Sequence, residues 1–283
     1  MAVIFPDLSA LTADTLSLKL TRDPALVKQA QKLRHRVFFQ EEAAQHGSGE
    51  GSKPIPGEKV AFTGEEVDED KFDKVCDHLL VLDQPEGAAQ PKVVGTYRLL
   101  RSNTELPFDH FYTETEFDIS PILAAGGNLL ELGRSCIAPE YRNGAVIQLL
   151  WRAIGAYIVH FKIDYMFGCA SFHGTDPMEF QQGISYLHHH HLAPEHIRPH
   201  PQPAWRATLP ILPESEIRRR DALRQLPPLM KGYMRLGGYI GEGVIVDNFC
   251  HTVDVCIVLD SKNIPTRYTE HFLDDAQRKE FLE

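Results

Sequence analysis

The chain has 283 residues, 43% of them hydrophobic and 24% charged, which suits a globular protein of one large domain or two small ones. It holds no run of about 18 uncharged apolar residues, which argues against a membrane-spanning helix. Its formal net charge of −10 argues against nonspecific nucleic-acid binding.

Residues 1–7 lack the basic and apolar regions of a secretory signal. The cysteines Cys76, Cys136, Cys169, Cys250 and Cys256 are odd in number, so free thiols and a cytoplasmic location are expected. Residues 16–20 alternate apolar and polar, as a strand does. Asp23 and Pro24 then read as the N-cap and first turn of a helix. Leu26, Ala30, Leu33 and Val37 recur along it at helical spacing. Residues 46–67 are rich in Gly, Ser, Pro and Glu without periodicity, which predicts a long mobile loop. Residues 78–82 and 93–100 read as strands of an antiparallel hairpin, with a turn-rich stretch over 83–91 between them.

Residues 129–137 are a further strand. The helix expected next carries the apolar stripe Ile147, Leu150, Trp151, Ile154, Ile158 and Phe161. A buried strand over 165–170, a polar helix over about 177–188, a short helix within 227–237 and a closing strand over 253–259 follow. The antiparallel middle and mixed order predict an α+β fold rather than a doubly wound sheet. The whole of 1–283 is read as one domain, with 213–250 as a C-terminal extension within it.

Two features carry chemistry. Glu131 and Arg134 flank Gly133 in an otherwise Leu-rich strand, and Arg98 stands at the matching place on the preceding strand. Charges on a core strand are costly unless they pair or do work. They form either a structural ion pair or a pocket for a zwitterionic substrate. The junction Arg142-Asn143-Gly144-Ala145 leads into a helix. Gly and Ala there permit close backbone approach, and free helix-start amides with Arg suit an anion, or else the segment is an ordinary turn. Asp70, Asp73 and Asp77 form an acidic cluster before the hairpin, which alone reads as a solvated loop.

The segments 33–38, 70–73, 96–99 and 131–134 resemble the acyl-homoserine lactone synthases, which act on acyl carrier protein thioesters with a GNAT-like fold. The runs 76–81, 94–100, 131–136, 167–172 and 226–233 are more closely similar to the bacterial L-ornithine Nα-acyltransferases. That resemblance covers roughly residues 15–275 in matching order.

It implies a GNAT-like acyltransferase, with a mixed central sheet flanked by helices, that moves a (3-hydroxy)fatty acyl group from acyl carrier protein to the α-amine of L-ornithine, giving lyso-ornithine lipid. Glu131 is then the candidate base, and Arg98 and Arg134 hold the ornithine carboxylate. Asp70 or Asp73 accepts the side-chain ammonium, and backbone amides at a bulge near Ser135 stabilise the oxyanion. Arg34 and Phe38 are further substrate-binding candidates; Phe38, Phe39, Trp151 and Phe172 are plausible lining for an acyl tunnel, or ordinary core. Arg142, Asn143, Gly144 and Ala145 are the candidate donor site. The donor loop is shorter than in typical GNAT enzymes, which suits a carrier protein's 4'-phosphopantetheine thioester better than coenzyme A. No bound cofactor is expected.

Other readings stay open. One is an acyl-homoserine lactone synthase-like enzyme using S-adenosylmethionine. Another is a non-catalytic carrier-protein or lipid-surface binding module. The basic run Arg218, Arg219, Arg220, Arg224, Lys231 and Arg235 is a solvated helix face or a peripheral contact for an acidic partner or an anionic membrane surface. His188–His191 are consecutive and cannot all face one ion, so no metal is expected. A cysteine nucleophile at Cys136 or Cys169 is weighed against buried structural thiols, the commoner case on strands.

Overall fold

The computed structural model describes residues 5–41, 66–266 and 268. The loop expected over 46–67 lies outside the described residues as far as residue 65. The strands, in chain order, are β1 Thr12–Ala13, β2 Leu16–Thr21, β3 Asp77–Asp83, β4 Lys92–Arg101, β5 Phe117–Asp118 and β6 Leu129–Ile137. They continue with β7 Tyr165–His173, β8 His200–Pro201, β9 Arg206–Ala207, β10 Tyr239–Ile240, β11 Val244–Asp247 and β12 Thr252–Asp260. The chain divides into two compact units. One comprises Met1–Pro107, Leu132–Ile163 and Thr266–Glu283, the other Phe108–Glu131 and Asp164–Pro265. Strand β6 contributes its first three residues to the second unit and its last six to the first.

In the first unit the strand order is β1-β2-β3-β4-β6, with antiparallel pairing from β1 through β4. The helix Pro24–His35 starts as its sequence predicts. Asp23 accepts from the Ala25 amide at 2.8 Å, and Pro24 occupies the first turn. A π-helical turn, Arg36–Gln40, continues it and carries Phe38. The helix Ala145–Phe161 packs its stripe of Val146, Leu149, Leu150, Ala153 and Tyr157 against the sheet. Gly95 permits that approach: a Cβ there would stand 2.5 Å from Val146 Cγ1. Buried Asp77 ties the layers together, accepting from Tyr157 Oη at 2.6 Å and from Arg22 Nε at 2.6 Å.

In the second unit the first residues of β6 pair in parallel with β7, Leu129–Glu131 against Tyr165–Phe167. β7 pairs antiparallel with β12 along its whole length. β11 and β10 both join β12, and β9 joins β11. Parallel and antiparallel pairing together make the sheet mixed, as the GNAT-like resemblance implies. The helix expected over 177–188 begins as a 3-10 turn, Pro177–Phe180, and runs as α-helix Gln181–His191. The 213–250 segment forms helices Arg219–Gln225 and Pro228–Arg235 and strands β10 and β11. Two-residue strands such as β1 and β10 leave no readable period, because alternation needs several residues to register.

Among the described residues, no helix is long and apolar enough to cross a membrane. Among the described residues, none of the five cysteines is in a disulfide.

Candidate active site

In the first unit, three arginines and three aspartates gather, among them the candidates Arg34, Arg98, Arg134, Asp70 and Asp73. Arg34 is fully buried and donates from Nε to Asp68 at 2.7 Å and from Nη2 to Asp73 at 2.8 Å. Arg98 donates to Asp70 at 2.6 Å and to Asp73 at 3.3 Å. Arg134 donates from Nη2 to Asp70 at 3.4 Å and lies 3.6 Å from Asp68. Asp70 also caps the turn Lys71–Lys74, accepting from the amides of Phe72 and Asp73. Burial works to raise the Asp73 carboxyl, but Arg34 and Arg98 outweigh it and hold the group below the usual carboxylate range. Arg98 and Arg134 do the same for Asp70 against the pull of burial.

The ammonium role expected of Asp70 and Asp73 therefore meets carboxylates already matched by guanidinium groups. Asp68 belongs to the cluster. Periodicity could not find it, because it sits at the edge of the Gly- and Glu-rich loop.

Arg134 has φ = 51°, a left-handed value in the middle of β6. Such a residue interrupts an extended strand. A left-handed non-glycine residue costs energy and is common at functional sites.

Glu131, the candidate base, belongs to the second unit and bonds there. Its Oε1 accepts from the Thr113 amide and Thr113 Oγ1, each at 2.6 Å, and its Oε2 accepts from the Tyr112 amide at 3.1 Å. The carboxylate thus anchors the N-terminal end of the 3-10 turn Tyr112–Thr115. Cys169 Sγ lies 4.0 Å from Thr113 Oγ1. Thr113 was invisible in the sequence because its segment has no periodic pattern.

Arg142 to Ala145 lie exposed or half-buried at the start of the helix Ala145–Phe161. Gly144, at φ = 97°, makes the turn, and the Asn143 carboxamide accepts from the Ala145 amide at 3.2 Å. Arg142 donates to the Ile137 carbonyl at 3.0 Å and to Glu41 at 2.9 Å.

His188–His191 close the helix Gln181–His191, and burial lowers the pKa of His188 and His191. Among the described residues, no group of three or more His, Cys, Asp or Glu side chains is arranged to hold a metal ion. Burial pushes the Cys136 thiol up to about 12. Burial, reinforced by Glu116, pushes the Cys169 thiol well above its ordinary value. Neither offers the thiolate a nucleophile needs.

Residues 33–152 match the family model of the acetyltransferase (GNAT) domain. The chain is 38% identical over 257 residues to the L-ornithine N(alpha)-acyltransferase of Rhodobacter capsulatus, covering 90% of this chain and 93% of that protein. It is 40% identical over 267 residues to the enzyme of the same name from Agrobacterium fabrum, covering 93% and 87%. Among solved structures, the CoA-dependent acyl-homoserine lactone synthase BjaI is 13% identical, with a TM-score of 0.44, covering 92% of this chain and 93% of that one. The chain is an acyltransferase with a GNAT domain and belongs to the L-ornithine N(alpha)-acyltransferase family.

Proposed function

We propose that the protein transfers a (3-hydroxy)fatty acyl group from acyl carrier protein to the α-amine of L-ornithine, giving lyso-ornithine lipid. The observation that carries this reading is 38–40% identity to L-ornithine N(alpha)-acyltransferases over about nine-tenths of the chain. In the reaction the amine nitrogen forms a bond to the thioester carbon, the C–S bond breaks, and the thiol leaves carrying a proton.

Glu131 takes the amine proton in this scheme, directly or through one water. The donors from Thr113 and Tyr112 hold its carboxylate in one orientation. In the first unit, Arg134 and Arg98 are the groups suited to a carboxylate, through a planar guanidinium fork. The left-handed turn at Arg134 supports an oxyanion-binding role for backbone amides near Ser135. The amides opening the helix Ala145–Phe161, with Arg142, receive the phosphate of the phosphopantetheine arm. Phe38 lines the acceptor side, and Arg34, fully buried on Asp68 and Asp73, holds that acidic pair in place.

Arg218, Arg219, Arg220, Arg224 and Arg235 are exposed, and Lys231 is half-buried. That array supports peripheral contact with an anionic membrane surface, where the lipid product would partition.

The test offers ornithine, lysine and S-adenosylmethionine together, with acylated carrier protein or acyl-CoA, to the purified full chain. Mass spectrometry should find Nα-acylornithine formed from the carrier-protein donor. Acylhomoserine lactone, or no amide at all, would overturn the reading.

A further inference from the structure

The sheet of the second unit has two unlike faces. Residues paired across strands share a face, and successive residues alternate. One face carries Gly168, Ala170 and Phe172 of β7 opposite Ile257, Val255 and Val253 of β12, and is apolar. The other carries Cys169, Ser171 and His173 opposite Cys256, Asp254 and Thr252. Asp247 of β11, opposite Thr252, extends this polar row at one end. Glu131 of β6, opposite Phe167, begins it at the other. Exposure rises along β7, from buried Phe167 through half-buried Cys169 and Ser171 to exposed His173, so solvent reaches the row from the His173 end.

Glu116 follows the turn that carries Thr113, and interacts with Cys169 and Asp254. Glu116 is 2% exposed and Asp254 5%. Tyr112 Oη donates to Glu116 Oε1 at 2.7 Å. Glu116 Oε2 and Asp254 Oδ1 are buried with no hydrogen-bond partner among the described residues. Neighbouring Asp247 is satisfied, accepting from the Phe249 and Cys250 amides at 2.7 and 2.9 Å. No described Lys or Arg pairs with Glu116 or Asp254, whereas every aspartate of the first unit's cluster is matched by arginine. Leaving two buried carboxyl oxygens without partners costs stability that an apolar pair would not. Burial, then repulsion from Asp254, pushes Glu116 up to about 8. Burial and Asp247 push Asp254 up to about 6, against the Ser171 and Thr252 hydroxyls and His173.

We propose that Glu116 and Asp254 form the receptor for a primary ammonium group, the side-chain ammonium of the amino-acid acceptor. The assignment rests on the ornithine reading given above. An ammonium presents three donors and no acceptor, which matches two free carboxyl oxygens. The placement also fits the substrate. Phe167, which shares a face with Glu131, lies two residues from Cys169, about 7 Å along a strand. That is comparable with the separation of the two nitrogens across ornithine's four carbons. The α-amine would then face Glu131 while the side-chain ammonium meets Glu116 and Asp254. Its arrival ionises a protonated carboxyl and releases a proton.

The experiment compares kcat/KM for ornithine and norvaline, the same carbon chain without the side-chain ammonium, in the full-length protein and in the Glu116→Gln and Asp254→Asn variants. The wild-type protein should prefer ornithine by about a hundredfold or more, the scale of losing a buried charged partner. Each variant should shrink that preference at least tenfold, chiefly through the KM for ornithine, and leave norvaline turnover intact. Both substitutions keep the shape of a neutral carboxyl, and the variants' unfolding midpoints establish that they fold. Calorimetric titration of ornithine in two buffers of different ionisation enthalpy supplies a readout independent of turnover. The wild type should release a proton near neutral pH and Glu116→Gln should release less. Ornithine acylation with an unchanged preference in both folded variants, or binding without proton release, overturns this site alone. Failure of the wild-type protein to acylate ornithine overturns the functional reading and this site with it.

Discussion

Arg34 and Asp73 are joined by two guanidinium bonds, Nη1 to Oδ1 at 2.9 Å and Nη2 to Oδ2 at 2.8 Å, with both side chains withdrawn from water. The pair joins the helix Pro24–His35 to the turn Lys71–Lys74, and Asp73 in turn meets Arg98 on β4. Removing one member strands the other as a buried charge. Arg34→Ala or Asp73→Asn should therefore lower unfolding free energy by about 3–5 kcal/mol. Arg34→Lys should recover only part of it, since an ammonium cannot make the fork. Urea denaturation of the three variants checks this.

Glu131→Gln should fold normally and lose acyl transfer by about two orders of magnitude, the scale of general-base effects. Thr113→Val removes one of the two 2.6 Å bonds to Glu131 Oε1 but keeps the turn's amide on it. It should lower kcat by about tenfold, equivalent to one hydrogen bond to a charged group. Single-turnover rates with a saturating donor measure both, and equal, near-normal rates would remove Glu131 from the chemistry.

Stability should depend on pH in an unusual direction. Glu116 titrates near 8 in the folded chain against an ordinary value of 4.5, because burial and Asp254 disfavour its anion. Between those values the folded state binds more protons than the unfolded state, so stability falls as pH rises toward 8. Each unit of separation corresponds to about 1.4 kcal/mol. Glu116→Gln should flatten the dependence and be the more stable protein at the alkaline end. Denaturation midpoints taken between about pH 5 and pH 8 test the sign.

The double variant Cys136→Ser, Cys169→Ser should keep acyl transfer within about an order of magnitude of wild type, because burial keeps both thiols protonated. A loss on the scale of a missing nucleophile would reinstate cysteine chemistry.

Gly95→Ala should destabilise by about 1–3 kcal/mol, since the new Cβ would meet Val146 Cγ1 at 2.5 Å. Val146→Ala should relieve that clash, and the double-mutant cycle should show a coupling of about 0.5–3 kcal/mol.

Long elements were legible in the sequence. The N-cap at Asp23, the strands β3, β4, β6 and β12 and the helix Ala145–Phe161 follow from capping chemistry and apolar period, which are local properties. The special character of β6 was legible too, because charges in a Leu-rich strand need an explanation wherever the strand sits. Its internal pairing was not. Glu131 takes Thr113 and Tyr112, and Arg134 takes Asp68 and Asp70, all distant along the chain.

The Asp70/Asp73 cluster shows the same limit. Its composition announced acidity, but only the arrival of Arg34, Arg98 and Arg134 decided that the acids are neutralised. Glu116 and Asp254 show the reverse. Nothing local distinguishes either one, and they become unusual because strand pairing buries them together without a cation. The sequence by itself determined the long elements, the family resemblance and which strand carries charge. The tertiary structure decided which charges meet, because Coulomb energy and desolvation depend on distance and burial, and these are set by residues far apart along the chain.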